Sequence, residues 1–489
     1  MLRSAPLDGS YTFLGEGRQP VPEQTIEVIS PVDGSVVGRV HEFTHDEIDA
    51  IVRTAAREQP AWGDRPVDER GVLLHHAADL LEERADEISQ LLVMEIAKAT
   101  KESRDEVLRS ADFIRFTAEE AKRVIGDSQF SDAFPRQARN KLSVSYRVPL
   151  GVILAIPPFN YPVNLAISKI APALAAGNAV VLKPPTQGAL AATLVGEILL
   201  EAGIPRGVLH VVTGRGSRIG DVLVEHPGID MISFTGSSDT GRALAKKAGM
   251  VPLLLELGGK DAAIVLADAD LDGAAGDIVA GAYAYSGQRC TAVKRVLASE
   301  AIADLLVDRI AERVAKLTVG DPRDDCAITP LVDPQSAVRA EKLVEDAVAA
   351  GAKLVCGGSR AGNLVQPTLL DLVSPEMDIA WVEPFAPILP VLRVQSAGDA
   401  VRLSNRSQYG LQAAIFSRDV DVAMQISLQL DVGTVQINGR TARGPDHFPF
   451  IGTKSSGMGT QGVRFSIEAM TRLKSMVFNM RPLDLENVD

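Results

Sequence analysis

The sequence predicts an α/β protein with two parallel-sheet domains, the first of them Rossmann-like, and a small additional β element. Three patterns carry that expectation. Between Gly151 and Glu256, apolar runs at 151–157, 179–183, 208–213, 229–234 and 251–256 alternate with helical stretches. Continuous apolar strands joined by helices long enough for crossovers imply a parallel sheet covered on both faces, which receives nucleotides at its strand C-terminal ends. A second alternating series runs from Ala262-Ala263-Ile264-Val265-Leu266 to Thr434-Val435-Gln436-Ile437-Asn438. Two further segments, Leu142–Val148 and Met476–Asn479, alternate with period two and fit neither series.

Taken in order, Thr25-Ile26-Glu27-Val28 and Val36–Val40 flank the turn residues Pro31-Val32-Asp33-Gly34, a strand-turn-strand signal. From His45 to Ile125 apolar residues recur at three- and four-residue spacing, for example Leu80, Leu81, Ile88, Leu91 and Leu92. These are helices packed on a sheet, with their charges on solvated faces. Because an isolated hairpin is marginal in water, the two unplaced strands are expected to pair across a subunit interface; edging the main sheets is the alternative.

Glycines mark two turns of interest. Gly214-Arg215-Gly216-Ser217-Arg218-Ile219-Gly220 has one residue too many for a dinucleotide fingerprint, so a plain strand-to-helix turn and a phosphate contact stay equally open. Phe234-Thr235-Gly236-Ser237-Ser238 ends an apolar strand and opens a helix over Asp239–Ala248, whose free N–H groups are placed to receive a pyrophosphate.

Composition removes several classes of function. With 50 Lys and Arg against 63 Asp and Glu, the net charge of −13 disfavours nonspecific nucleic-acid binding. No basic run with interleaved aromatics counters it. The start, Met1-Leu2-Arg3-Ser4-Ala5-Pro6, carries no apolar segment of signal-peptide length, and nowhere do 18 apolar residues run unbroken. A soluble, cytoplasmic protein is expected. Three cysteines without a C-x-x-C pair argue against a disulfide framework, and seven histidines without ligand spacing predict no metal.

The chemistry centres on a thiol and a carboxylate. Cys290 stands in Gly287-Gln288-Arg289-Cys290-Thr291 and Glu256 in Leu255-Glu256-Leu257-Gly258-Gly259-Lys260. A thiolate attacks carbonyl carbon, and a separate carboxylate can then activate water to hydrolyse the acyl-enzyme. An isolated cysteine is more often a small buried hydrophobe, the reading retained for Cys326 and Cys356. Arg289 beside Cys290 is expected to lower its pKa, and Gly287 permits a sharp turn.

In order and spacing, Pro157-Pro158-Phe159-Asn160, Lys183-Pro184-Pro185-Thr186, Phe234-Thr235-Gly236-Ser237, the Glu256 and Cys290 segments and Glu383-Pro384-Phe385 resemble the aldehyde dehydrogenase superfamily. The resemblance covers nearly the whole chain. Within the superfamily it is most similar to the non-phosphorylating, NADP-dependent glyceraldehyde-3-phosphate dehydrogenases. It implies an NADP-binding domain of 1–132 with 149–257, a catalytic domain of 258–445, and oligomerisation strands at 133–148 and 460–489, in a homotetramer. It further implies that Cys290 forms a thiohemiacetal and then a thioester, that Asn160 with the Cys290 N–H stabilises the oxyanion, and that Glu256 activates water. Losing one oxyanion donor typically costs about 10²- to 10³-fold in rate.

For the cofactor, the resemblance places Gly214, Gly236 and Ser237 near the phosphates and Glu383 on the nicotinamide ribose. NAD-preferring members commonly carry a glutamate where Thr186 stands. Without that repulsion, Lys183 and Thr186 favour the 2′-phosphate of NADP. For the substrate, Arg109, Arg289, Arg443 and Tyr161, with Thr291 beside the nucleophile, match residues that hold the phosphate and hydroxyl of glyceraldehyde 3-phosphate. Rival readings are another short aldehyde, such as lactaldehyde or a phosphonate aldehyde, and a catalytically silent cofactor-binding protein.

Overall fold

The structure, a computed structural model, describes residues 10–11 and 24–481. The Met1–Pro6 segment and the last residues of the 460–489 span lie outside them. Thr25–Ile29 pairs antiparallel with Val36–His41, as the turn between them requires. Four helices follow: His45–Gly63, Val67–Glu83, Ala85–Ile96 and Thr100–Ala121. The first opens on a capping box, with Thr44 and Glu47 each bonding the other's backbone N–H.

The first large sheet has the strand order 457–458, 253–256, 231–235, 152–156, 179–182, 209–211. It is parallel except at the 457–458 edge. Its inner strands are almost wholly buried, the reason they read as unbroken apolar runs. The second sheet runs 353–356, 368–371, 388–394, 295–299, 262–265, 412–416, 434–437, antiparallel only at the 353–356 edge. Gly258-Gly259-Lys260-Asp261 carries the chain from one sheet to the other, joining Leu253–Glu256 to Ala262–Val265.

The two unplaced strands edge neither main sheet and instead form a small sheet of their own. Lys141–Pro149 and Thr471–Asn479 pair with each other in antiparallel register, from Thr471 opposite Pro149 to Asn479 opposite Lys141. Asp127–Phe130 completes a three-stranded sheet on the other side of Lys141–Pro149. Their ladder is satisfied within one chain, so neither a second subunit nor the edge of a main sheet is needed to form it. The 460–489 span is also not all strand, since Val463–Ala469 is a helix. Among the described residues no helix is long and apolar enough to cross a membrane.

Candidate active site

Glu256 ends its strand and stands in register with Thr235 at the end of the neighbouring one, so both side chains emerge at the C-terminal edge of the first sheet. The Thr235 hydroxyl donates to Glu256 Oε2 at 2.9 Å and accepts from Lys169 Nζ at 2.7 Å. Lys169 lies in Asn164–Ala175, a helix with every residue buried, and burial pushes its ammonium down to about 8. The other flank of Glu256 is occupied by Arg443, whose Nη1 donates to both carboxylate oxygens at 2.9 Å.

Cys290 comes from the second sheet's side, after the helix Leu271–Tyr283. Tyr285, Ser286 and Gly287 all have left-handed backbone, with φ of 49°, 52° and 70°. Two non-glycine residues in that region are strained, and surrounding contacts must hold them. Tyr285 Oη donates to Ile96 O at 3.1 Å, and Ser286 Oγ exchanges hydrogen bonds with the backbone of Thr329 at 2.8 and 2.9 Å. A Cβ on Gly287 would collide with the carbonyl of Ala386. Gly287→Ala is therefore expected to destabilise the fold by about 2 kcal/mol or more in urea unfolding.

The electrostatics of Cys290 correct the sequence expectation. Burial pushes the thiol up to about 11; Lys294 and Arg443 pull it down, and Glu256 and Asp261 add to the rise. The leading cations acting on it are Lys294 and Arg443, not Arg289. Its Nη2 donates to the carbonyl of Gly281 at 2.6 Å, which turns the guanidinium away despite adjacency in sequence. At neutral pH the Cys290 side chain is thus held as a thiol. Alkylation of the free protein at Cys290 by iodoacetamide is expected to be slow at pH 7. It should rise about tenfold per pH unit until near pH 11, as measured by labelled-peptide mass spectrometry.

Asn160 reaches the same place from the first domain. Its Nδ2 donates to the carbonyl of Gln288 at 2.8 Å, two residues before the thiol, while its Oδ1 is buried without a partner. Lys98 Nζ donates to the Asn160 carbonyl at 2.6 Å and pairs with Glu106, and both of these charged side chains are fully buried. Glu106 Oε1 accepts the N–H groups of Val163 and Asn164 at 3.0 Å each. One buried ion pair therefore pins both ends of the 160–164 turn.

The same turn carries Tyr161, its ring 3.6 Å from Lys98 Nζ. Burial pushes its hydroxyl up to about 12, against the pull of Arg289 and Arg109. Arg109 is held by Asp446, through Nε at 2.6 Å and Nη2 at 2.7 Å, and bonds the Arg443 carbonyl at 3.1 Å. Arg109, Arg289 and Tyr161 thus share one electrostatic neighbourhood, while the Arg443 guanidinium reaches Glu256. Thr291 is buried, and its carbonyl accepts from Thr441 Oγ1 at 2.9 Å.

Lys183 follows the strand Ala179–Leu182 of the first sheet. Its Nζ is buried, donates to Pro184 O at 3.0 Å, and is pushed down to about 8 by burial alone. An anion placed there would push it back up. Thr186 is half-buried in the bend before the helix Ala189–Glu201. Ser237 caps Ser238–Lys247, accepting from Thr240 N at 3.2 Å, and Gly236 precedes it. Gly214 stands before the helix Gly216–Val224, where a Cβ would strike Ile219. Glu383 accepts Gly259 N at 3.2 Å and pairs with Lys294 at 2.9 Å; a Cβ on Gly258 would displace it.

Sequence reasoning did not pick out Lys98, Glu106, Lys169 or Lys294. The signal for Lys169 was present: a single lysine in the otherwise apolar run Ile167-Ser168-Lys169-Ile170-Ala171. No comparable local pattern marks the others.

Comparisons with known proteins identify the family. A family model described as the aldehyde dehydrogenase family matches residues 19–476. The chain is 51% identical to NADP-dependent glyceraldehyde-3-phosphate dehydrogenase of Nicotiana plumbaginifolia, over 96% of this chain and 95% of that one. It is 49% identical to the Streptococcus equinus protein of the same name, over 96% and 99%. A crystal structure of NADP-dependent glyceraldehyde-3-phosphate dehydrogenase from Bacillus halodurans, complexed with NADP, superposes with a TM-score of 0.94 at 50% identity, covering 97% of this chain and all of that one. With the motifs, the sheets and the family match in agreement over nearly its full length, the chain belongs to the aldehyde dehydrogenase family.

Proposed function

We propose that this protein oxidises glyceraldehyde 3-phosphate to 3-phosphoglycerate with NADP, without consuming inorganic phosphate. The observation that supports the reading is the approach of Asn160 and Glu256 to Cys290, with Arg443 on Glu256 and with Arg109 and Arg289 both acting on Tyr161. Relatives of about 50% identity bear the corresponding name. The proposed division follows the sheets: 1–132 with 149–257 for the cofactor and 258–445 for catalysis. The strands within 133–148 and 460–489 would serve subunit contact in a homotetramer, and the protein would work in cytoplasmic glycolysis.

In this reading the Cys290 thiol gives up its proton to solvent and the sulfur adds to the aldehyde carbon. The resulting oxyanion is received by the Cys290 N–H and by the Asn160 amide, which has one N–H on the Gln288 carbonyl and a second to give. NADP, when bound, accepts the hydride from that carbon, leaving a thioester on Cys290. Glu256 then takes a proton from water as the water oxygen attacks the thioester, and the Cys290 sulfur departs. Lys183 and Thr186 hold the 2′-phosphate end, Gly214, Gly236 and Ser237 the pyrophosphate, and Glu383 the nicotinamide ribose.

The test is an assay of NADPH formation from glyceraldehyde 3-phosphate in phosphate-free buffer, with 3-phosphoglycerate measured as product. Rapid turnover with a clear kcat/KM preference for NADP over NAD is expected. A requirement for inorganic phosphate, or preference for an uncharged short aldehyde, would overturn the reading.

A further inference from the structure

Arg109, Asp446, Arg443 and Glu256 form an unbroken chain of alternating charge. Asp446 holds Arg109 through two hydrogen bonds, and its Oδ1 lies 3.6 Å from Arg443 Nε. Arg443 then grips both oxygens of Glu256, and its Nη2 donates to Gln461 Oε1 at 2.8 Å. Every nitrogen of the Arg443 guanidinium thus faces a protein oxygen. The side chains of Arg443 and Glu256 keep only 12% and 6% of their exposure, so this pair is shielded from solvent screening.

Two consequences follow from this arrangement. A substrate phosphate that reaches Arg109 and Arg443 must compete with carboxylates already in place. Glu256, meanwhile, has each oxygen engaged: Oε1 by Arg443, and Oε2 by Arg443 and Thr235. Three of its roughly four acceptor sites are thus taken before a water molecule arrives. Room for a rearrangement exists alongside, because a cavity of about 300 Å³ lined by Arg443, Asp446, Gln412, Thr434, Phe448 and Phe450 adjoins the chain of charges. Arg443 also lies in the irregular stretch between Ile437 and Phe450, without a helix or strand to hold its backbone.

We propose that the substrate's phosphate releases the hydrolytic base: by taking Arg109 from Asp446 and Arg443 from Glu256, it frees the Glu256 carboxylate to activate water. The inference rests on the reading that Glu256 serves hydrolysis and that the arginines receive the phosphate. Asp446 is then a specificity-determining residue. It fills the anion site while no phosphate is present, and a dianion with three acceptor oxygens displaces it where a neutral aldehyde does not. Once free, Glu256 removes one proton from water while the water oxygen bonds to the thioester carbon. The C–S bond breaks, the sulfur leaves as thiolate, and the proton held by Glu256 neutralises it or passes to solvent. Acylation does not need Glu256 in this scheme, so an unphosphorylated aldehyde should acylate Cys290 and then stall.

Rapid mixing of enzyme and NADP with unphosphorylated glyceraldehyde, with and without phosphite dianion, tests this. The expected result is a burst approaching one NADPH per subunit, with acyl-enzyme on Cys290 in quenched samples, followed by a steady rate at least about tenfold slower. Phosphite should raise the steady rate and leave the burst rate unchanged. In Asp446→Asn, half-maximal activation should need several-fold less phosphite, because the competing charge is gone. Failure of the acyl-enzyme to accumulate, or a steady rate insensitive to phosphite, would overturn the release of Glu256. If glyceraldehyde 3-phosphate itself gave no NADPH, the proposed function would fall instead.

Discussion

Replacing Cys290 by serine is expected to lower NADPH formation by at least about 10³-fold, with the cofactor still bound and the melting temperature within a few degrees of the parent. The sulfur is the only soft nucleophile at this point of the cleft, and an alcohol in its place lacks both a comparable nucleophilicity and a paired general base. A structural role for the thiol predicts the opposite pattern, a change in stability with turnover left in place. Steady-state kinetics with a cofactor-binding titration on the same sample separate the two. Retained turnover with a labelled acyl group on another side chain would end the covalent mechanism.

Glu256→Gln should divide the reaction in time. Glutamine keeps the shape and can still contact Thr235, but it cannot take a proton, so the first turnover survives and the following ones do not. A burst of about one NADPH per subunit is expected, followed by a steady rate reduced about 10²- to 10⁴-fold, with the thioester recoverable from Cys290 by acid quench. Loss of the burst as well would assign Glu256 to activation of the thiol. That alternative has structural content, since the Glu256 charge is among the influences that raise the Cys290 thiol.

Much of the architecture was legible because strands buried on both faces must be apolar without interruption. The runs at 151–157, 179–183 and 229–234 correspond to Val152–Ile156, Ala179–Leu182 and Met231–Thr235 within a residue or two. The period-two segments were equally plain as strands, but alternation says nothing about the partner. Lys141–Pro149 and Thr471–Asn479, more than 300 residues apart in the chain, found each other only in the folded molecule.

Charges were read less well, for a single reason. A lysine or arginine in a helical pattern defaults to a solvated face, and only burial reveals otherwise. Lys98 and Lys169 are both fully buried, and each supports a site residue through one intermediate: Lys98 through the Asn160 backbone, Lys169 through the Thr235 hydroxyl. Arg289 errs in the other direction. Next to Cys290 in sequence, it spends its guanidinium on the Gly281 carbonyl, while Lys294 and Arg443 act on the thiol.

By itself the sequence determined the class of fold, and it put forward the thiol, the carboxylate and the asparagine amide as the candidate site, with a threonine at 186 where NAD-preferring members commonly carry a glutamate. Those depend on residue type and local spacing, which folding does not change. Only the tertiary structure decided which cations face which anions: that Arg443 holds Glu256, that Asp446 holds Arg109, and that a buried ion pair pins Asn160. Coulomb interactions depend on distance through space and on burial, and neither is written in the order of residues along the chain.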